Sequence, residues 1–215
     1  MSLSPHGADE TSEAAGSGRS GRRPGQSGTR EAILDAARAR FAEVGFDKAS
    51  IRSIASTAGV DPALVHHYFG TKQELLTAVV DLPVDTDLIR AHIAAAPVDQ
   101  LGETIVRTVV GVWDSPVGAS AIAAFRAILG GGDAGLVRSF VLEVILKDVR
   151  HRVDSPPGAG GTRVALAVAQ MGGVLMARKI IGIEPIVSMS AEELGRLVGP
   201  SLQRYLTGDL DLPPS

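Results

Sequence analysis

Between residues 50 and 69 two short amphipathic segments are separated by a single glycine, and each opens on its own capping residue. Ser50 precedes Ile51, Ile54, Ala55 and Ala58, apolar residues at three- and four-residue steps that line one face of a short helix. Gly59 ends that helix and supplies the tight turn, because only glycine enters the left-handed region without a Cβ clash. Asp61 caps the next helix, with Pro62 at the first helical position, where its missing N–H costs nothing. Val65 and Phe69, four apart, point inward with Val60. Such a pair needs a third helix packed across it, and Ile33, Leu34, Ala37, Phe41 and Val44 provide one between Thr29 and a stop at Gly45. The result is a helix-turn-helix unit. Thr71 and Glu74 form a capping box for a fourth helix, whose apolar face is Leu75, Leu76, Val79 and Val80.

No strand pattern follows. Beyond Pro83 longer helices are expected at 85–95, 98–113, 117–129, 134–153, 162–181 and 191–206, punctuated by proline and glycine. Pro200 should kink or split the last of them. The fold class is therefore all-α, with an N-terminal three-helix helix-turn-helix bundle followed by a larger C-terminal helical domain. Residues 1–28 are expected to be a disordered arm ending in basic residues, 29–82 the helix-turn-helix domain, and 83–215 the second domain.

Composition removes several function classes. The chain has no cysteine, so disulfide scaffolds, thiolate metal sites and thiol nucleophiles are excluded together. No phosphate-cradling glycine motif, HExxH or recognisable Ser–His–Asp arrangement is present, so an enzyme is not expected, nor any cofactor. Adjacent His66 and His67 point in different directions on a helix and cannot chelate one metal as a pair. The apolar run 164–177 is interrupted by Gln170 and is short for a bilayer, and residues 1–28 lack the apolar region of a signal peptide. A soluble cytoplasmic protein with no membrane association is expected. Net charge is −3, but its distribution is uneven: residues 19–72 hold nine Lys or Arg against five acids, and residues 73–215 hold twelve against sixteen. Positive charge concentrated in one segment suits a chain that presents only that part to a polyanion.

On the helix 61–69, Ala63, His66 and His67 must face away from the core, with Pro62 and Leu64 on the flanks. A face that is small and apolar near its N-terminus fits a helix entering the major groove, where Leu64 can pack on a thymine methyl. It carries little positive charge, so phosphate contacts fall to Arg52, Lys72 and the arm arginines Arg19, Arg22, Arg23 and Arg30. The alternative is a helical protein-binding adaptor without sequence-specific DNA binding. That reading leaves the arginine arm and the groove-shaped face unexplained.

The stretch 51–72, IRSIASTAGVDPALVHHYFGTK, resembles the DNA-binding signature of the TetR family of regulators. The likeness extends over about residues 33–80, and a weaker one at 170–206 is to an actinobacterial-type branch. It implies a base-edge role for Arg52, with phosphate contacts from the Ser50 hydroxyl and the Ile51 N–H. It places Pro62, Ala63, Leu64 and His66 toward the groove, and His67, Tyr68 and Lys72 on phosphates. Position 66 departs from the family, where tyrosine is common. The resemblance further implies a repressor released from a palindromic operator by a small-molecule inducer held in the second domain. Trp113, Phe125, Phe140, Met171 and Met176 are candidates to line that cavity, with plain core as the alternative, and Arg107 and Arg126 either face an anionic ligand or stand exposed or in salt bridges.

One recognition helix spans few base pairs, so such proteins commonly pair as two-fold dimers. Segment 162–181 offers the small residues Ala165, Ala169, Gly172, Gly173 and Ala177, and segment 191–206 offers Leu194, Leu197, Val198, Ser201 and Tyr205. The resemblance implies that these two helices form the homodimer interface; the same residues would also suit an intrachain core.

Overall fold

The computed structural model describes residues 25–82, 84–129 and 134–211, with side chains described from Gly28 onward except at 124, 125 and 127–129. Every element among these residues is helical. The first four are α1 (Gly25–Lys48), α2 (Ile51–Ala58), α3 (Pro62–Phe69) and α4 (Lys72–Val80). They are followed by α5 (Thr86–Ala95), α6 (Leu101–Asp114), α7 (Gly118–Leu129), α8 (Ala134–Ser139), α9 (Lys147–Arg152), α10 (Gly160–Leu175) and α11 (Ala191–Thr207). α1 begins at Gly25, four residues before the expected start, and Gly45 breaks it with φ 80° and ψ 165° before one further turn to Lys48.

α1 to α4 form a head around Ile33, Ala37, Phe41, Ile54, Leu75 and Leu76, all buried. Its local chemistry follows the sequence closely. The Ser50 hydroxyl accepts from the Ser53 N–H, the Asp61 carboxylate accepts from the Ala63 N–H, and the Thr71 hydroxyl accepts from the Glu74 N–H. Each satisfies a donor that the helix start would otherwise orphan.

The rest of the chain forms a body. α6 and α11 are its most extensively packed pair, burying Leu101, Ile105 and Val106 against Leu194, Leu202 and Leu206. α10 adds Val164, Ala167 and Met171 to the same core. Three buried or partly buried arginines tie loops to helix ends. Arg152 donates to the carbonyls of Ile93, Ala94 and Ala96, capping the C-terminus of α5. Arg163 donates to Ser155, Tyr205 and Gly208, and Arg178 pairs with Asp114.

The expected single helix 134–153 is broken. α8 passes into a π-helical turn, Phe140–Ile145, closed by the Leu146 N–H donating to the Val141 carbonyl at 2.9 Å, and only then into α9. This segment serves two cores: Phe140 and Val144 are buried with the head, whereas Leu146, Val149 and Val153 are buried in the body. α10 likewise ends in a π-helical turn, Met176–Ile181. α11 runs through Pro200, which sits on the exposed side; the carbonyl its ring leaves unbonded, at Arg196, is also on exposed residues. The helical stretch Gly160–Ile181, 22 residues long, extends the run 164–177 at both ends and passes a length-and-composition test for crossing a membrane; a third of its most apolar 18-residue window, of mean hydropathy 1.5, is buried inside the chain, as in a core helix.

Candidate nucleic-acid interface and body cavity

α2 and α3 meet at Gly59, whose φ of 68° makes the left-handed turn expected of it. The Gly59 N–H donates to the Ala55 and Ser56 carbonyls, and the Val60 N–H returns to Ala55 at 3.0 Å, which closes the end of α2. Val65 and Phe69 are buried, as the four-residue spacing requires, so Ala63, Leu64, His66 and His67 are exposed and Pro62 and Tyr68 partly so. Leu64 stands 40% exposed, high for a leucine in a well-capped helix.

The two helix starts differ in what they offer. At α3 the Ala63 N–H is taken by Asp61, the Leu64 N–H donates to the Asp61 carbonyl, and Pro62 has no N–H. That end is satisfied and acidic. It has nothing for a phosphate. At α2 the Ser50 N–H donates to the Ser53 hydroxyl and the Ser53 N–H to Ser50, while the N–H groups of Ile51 and Arg52 have no acceptor among the described residues. Two free donors at the positive end of a helix, beside the exposed Arg52, suit a phosphate oxygen. The Ser50 oxygen accepts from Ser53, and its hydroxyl proton is left to donate.

His66 is held by its own helix end: Nδ1 lies 2.8 Å from the Gly70 carbonyl. A carbonyl only accepts, so Nδ1 carries a proton, and the tautomer this selects presents Nε2 as an acceptor. Such an acceptor matches the amino group of adenine or cytosine in the major groove. His67 and Tyr68 stack edge-on at 5.5 Å. Arg30 is exposed, with its guanidinium 5.2 Å from the Phe69 ring centre, while Arg19, Arg22 and Arg23 lie outside the described residues.

Lys72, read from sequence as a phosphate contact, is not a free surface cation. It is half-buried, its ammonium 4.3 Å from the Phe46 ring centre and 3.4 Å from the Asp47 carbonyl, to which it donates. Burial pushes its pKa below the usual lysine value, against the opposing pull of Asp47 and Glu143. Phe46 therefore aims this cation as well as closing the head core.

The N-terminal part of the chain matches the family described as bacterial regulatory proteins, tetR family, over residues 33–79. Residues 99–206 match the tetracyclin repressor-like C-terminal domain. The HTH-type transcriptional repressor Rv3405c of Mycobacterium tuberculosis is 33% identical over 180 residues, 81% of this chain and 87% of that protein. The chain belongs to the TetR family of transcriptional regulators. The regulator BetI of Rhizobium meliloti is 47% identical over 51 residues, 24% of this chain and 25% of that protein. Among solved structures, a TetR-family regulator from Streptomyces coelicolor A3 is 34% identical, covering 86% of this chain and 98% of that one, at a TM-score of 0.41. As a TetR-family regulator the chain binds DNA.

The body of this TetR-family chain contains a cavity of about 560 Å³ lined by Leu82 and Val84, ahead of α5, and by residues from α5 to α11. Of the five candidates, Trp113, Phe140 and Met171 line it; Met176 is not among its described lining residues, and the Phe125 side chain lies outside the described residues. Neither Arg107 nor Arg126 lines it; both take the exposed or paired alternative. Arg107 is exposed and pairs with Glu103 and Glu192, and Arg126 donates to the Lys179 carbonyl. Arg138, which no periodicity singled out, is the charged residue on its described lining. On the candidate dimer helices, Leu194 is buried against α6, Val198 and Tyr205 are partly buried, and Leu197 and Ser201 are exposed. On α10, Ala165, Ala169 and Gly173 are exposed, with Gly172 and Ala177 partly so.

A split between two substitutions follows for the head. Leu64→Ala should blur sequence preference, costing about 1–3 kcal/mol on the preferred site and little elsewhere. Lys72→Ala should weaken all sequences alike and lower the salt slope by about one. Fluorescence anisotropy on specific and scrambled duplexes across a salt series separates the two; the opposite assignment would mean that α3 does not enter the groove.

Proposed function

We propose that this regulator is a homodimeric repressor that works in the cytoplasm and leaves a palindromic operator when a small molecule fills its body cavity. Residues 29–82 are the reading domain and 83–215 the sensing and pairing domain. Pro62, Ala63, Leu64 and His66 face bases together with Arg52. Ser50, Ile51, His67, Tyr68, Lys72 and Arg30 hold phosphates. The dimer forms through α10 and α11, whose exposed Leu166, Ala169, Gly173 and Leu197 form an apolar surface that a single chain leaves in water.

The observation that carries the regulatory reading is the position of Phe140. It is 5% exposed, belongs to the core of the head, and also lines the cavity of the body. An occupant that displaces Phe140 must therefore disturb the packing under α4 and α1, which carry the reading helix. Val109 lines the same cavity from α6 and is only half-buried, so a larger side chain there enters open space. Val109→Phe should mimic the occupant, weakening operator binding about tenfold or more with little loss of thermal stability. Unchanged operator affinity, with the variant folded, would remove the cavity from the regulatory account.

A further inference from the structure

The body cavity has a chemical bias that the family reading does not specify. Among its described lining residues, side chains from Leu82, Ile89, Val109, Trp113, Phe140 and Met171 are apolar, and so are the others apart from Arg138. Among the described residues no carboxylate lines it, so nothing there supplies a counter-charge to a desolvated cationic ligand. The described walls also offer no side-chain hydroxyl or amide, so a ligand with several scattered polar groups would find no partners on them. Arg138 is exposed and has no hydrogen-bond or ion-pair partner among the described residues, in contrast to Arg107 and Arg126. It thus stands at the rim with its guanidinium uncommitted, where an anionic group can be held while the remainder of the molecule enters the apolar space.

We infer that the effector of this protein is an apolar molecule carrying one anionic group, a carboxylate being the simplest, with Arg138 as its charge partner. The inference rests on the proposal that the cavity is the effector site. A volume of about 560 Å³ is that of a small-molecule pocket. Arg138 also lies on α8, two residues before Phe140, so an anion drawn to it acts on the segment that reaches the head core.

Trp113 is the chain's one tryptophan and lines the cavity, so its emission reports occupancy. The full chain is titrated with dodecanoate, dodecanol and dodecylammonium, each below its micelle-forming concentration. The three share one alkyl chain and differ in head-group charge. Dodecanoate is expected to bind about tenfold or more tightly than the other two. Arg138→Gln should bring dodecanoate to the level of dodecanol, leave dodecanol binding and the melting temperature unchanged, and Arg138→Lys should restore part of the preference. If dodecanol binds as tightly as dodecanoate, or if Arg138→Gln keeps the preference, the anion inference is overturned while the cavity remains a ligand site. If none of the three changes Trp113 emission in the folded protein, the cavity reading falls and the inference with it.

Discussion

Alanine at Gly102 is expected to destabilise the protein by about 3 kcal/mol, lowering its melting temperature by roughly 10 °C. A Cβ at this position would lie 2.3 Å from the Gly199 carbonyl oxygen and 2.5 Å from the Gln203 nitrogen, both backbone atoms of α11. Neither atom can move without the helix that carries it. The register is fixed further by Gln203, whose Oε1 accepts from the Gly102 N–H at 2.8 Å and whose Nε2 donates to the Val98 carbonyl at 2.9 Å. Gly111→Ala, on the same helix, is the control. Its Cβ would meet no atom within 4 Å. The gain in helix propensity, about 1 kcal/mol, should leave Gly111→Ala at or slightly above wild type. Chemical denaturation of both variants is the check, and equal stability would contradict the close approach of α6 and α11.

Asp114→Ala should cost about 3 kcal/mol, through the two cations it leaves behind. Arg178 is 9% exposed and donates to Asp114 Oδ2 at 2.8 Å, while the Lys179 ammonium lies 2.6 Å from Oδ1. Arg178 also donates to the Ile186 carbonyl, so the carboxylate anchors the loop after α10 to the end of α6. Burial disfavours the charged form of Asp114, but the hydrogen bonds and charges of Arg178 and Lys179 outweigh it and hold the pKa below the ordinary value of 3.8. With the folded pKa the lower one, the stabilisation is complete above the unfolded value and is lost as pH falls through the folded value. The stability gap between wild type and Asp114→Asn should therefore be constant near neutral pH and shrink below about pH 4. A gap that persists unchanged into strong acid would mean that the pair contributes no charge-dependent stability.

The head was legible because its determinants are local. Ser50, Gly59, Asp61–Pro62 and Thr71–Glu74 each act within four residues of themselves, and the structure uses every one as expected. The head's core was less so. It is completed by Phe140 and Val144, far along the chain, in a segment with apolar residues on two faces that reads from periodicity as one helix. Arg152, Arg163 and Arg178 look like solvated charges in sequence, since nothing local marks the carbonyls or the carboxylate that receive them. Leu194 and Leu197 are indistinguishable by spacing, three apart on one helix, yet one is buried against α6 and the other is 63% exposed. The partial burial of Lys72 is not marked in sequence for the same reason: the Phe46 ring that covers it lies 26 residues away.

That α3 reads a symmetric DNA site through two copies of this chain is tested most directly by selecting bound duplexes from a random pool with the full protein. The account predicts an enriched palindrome with two inverted half-sites, whose affinity falls steeply as salt rises through the phosphate contacts proposed for Arg30, Lys72 and the α2 N-terminus. Recovery of no common sequence, or of a single half-site with no inverted partner, would contradict it.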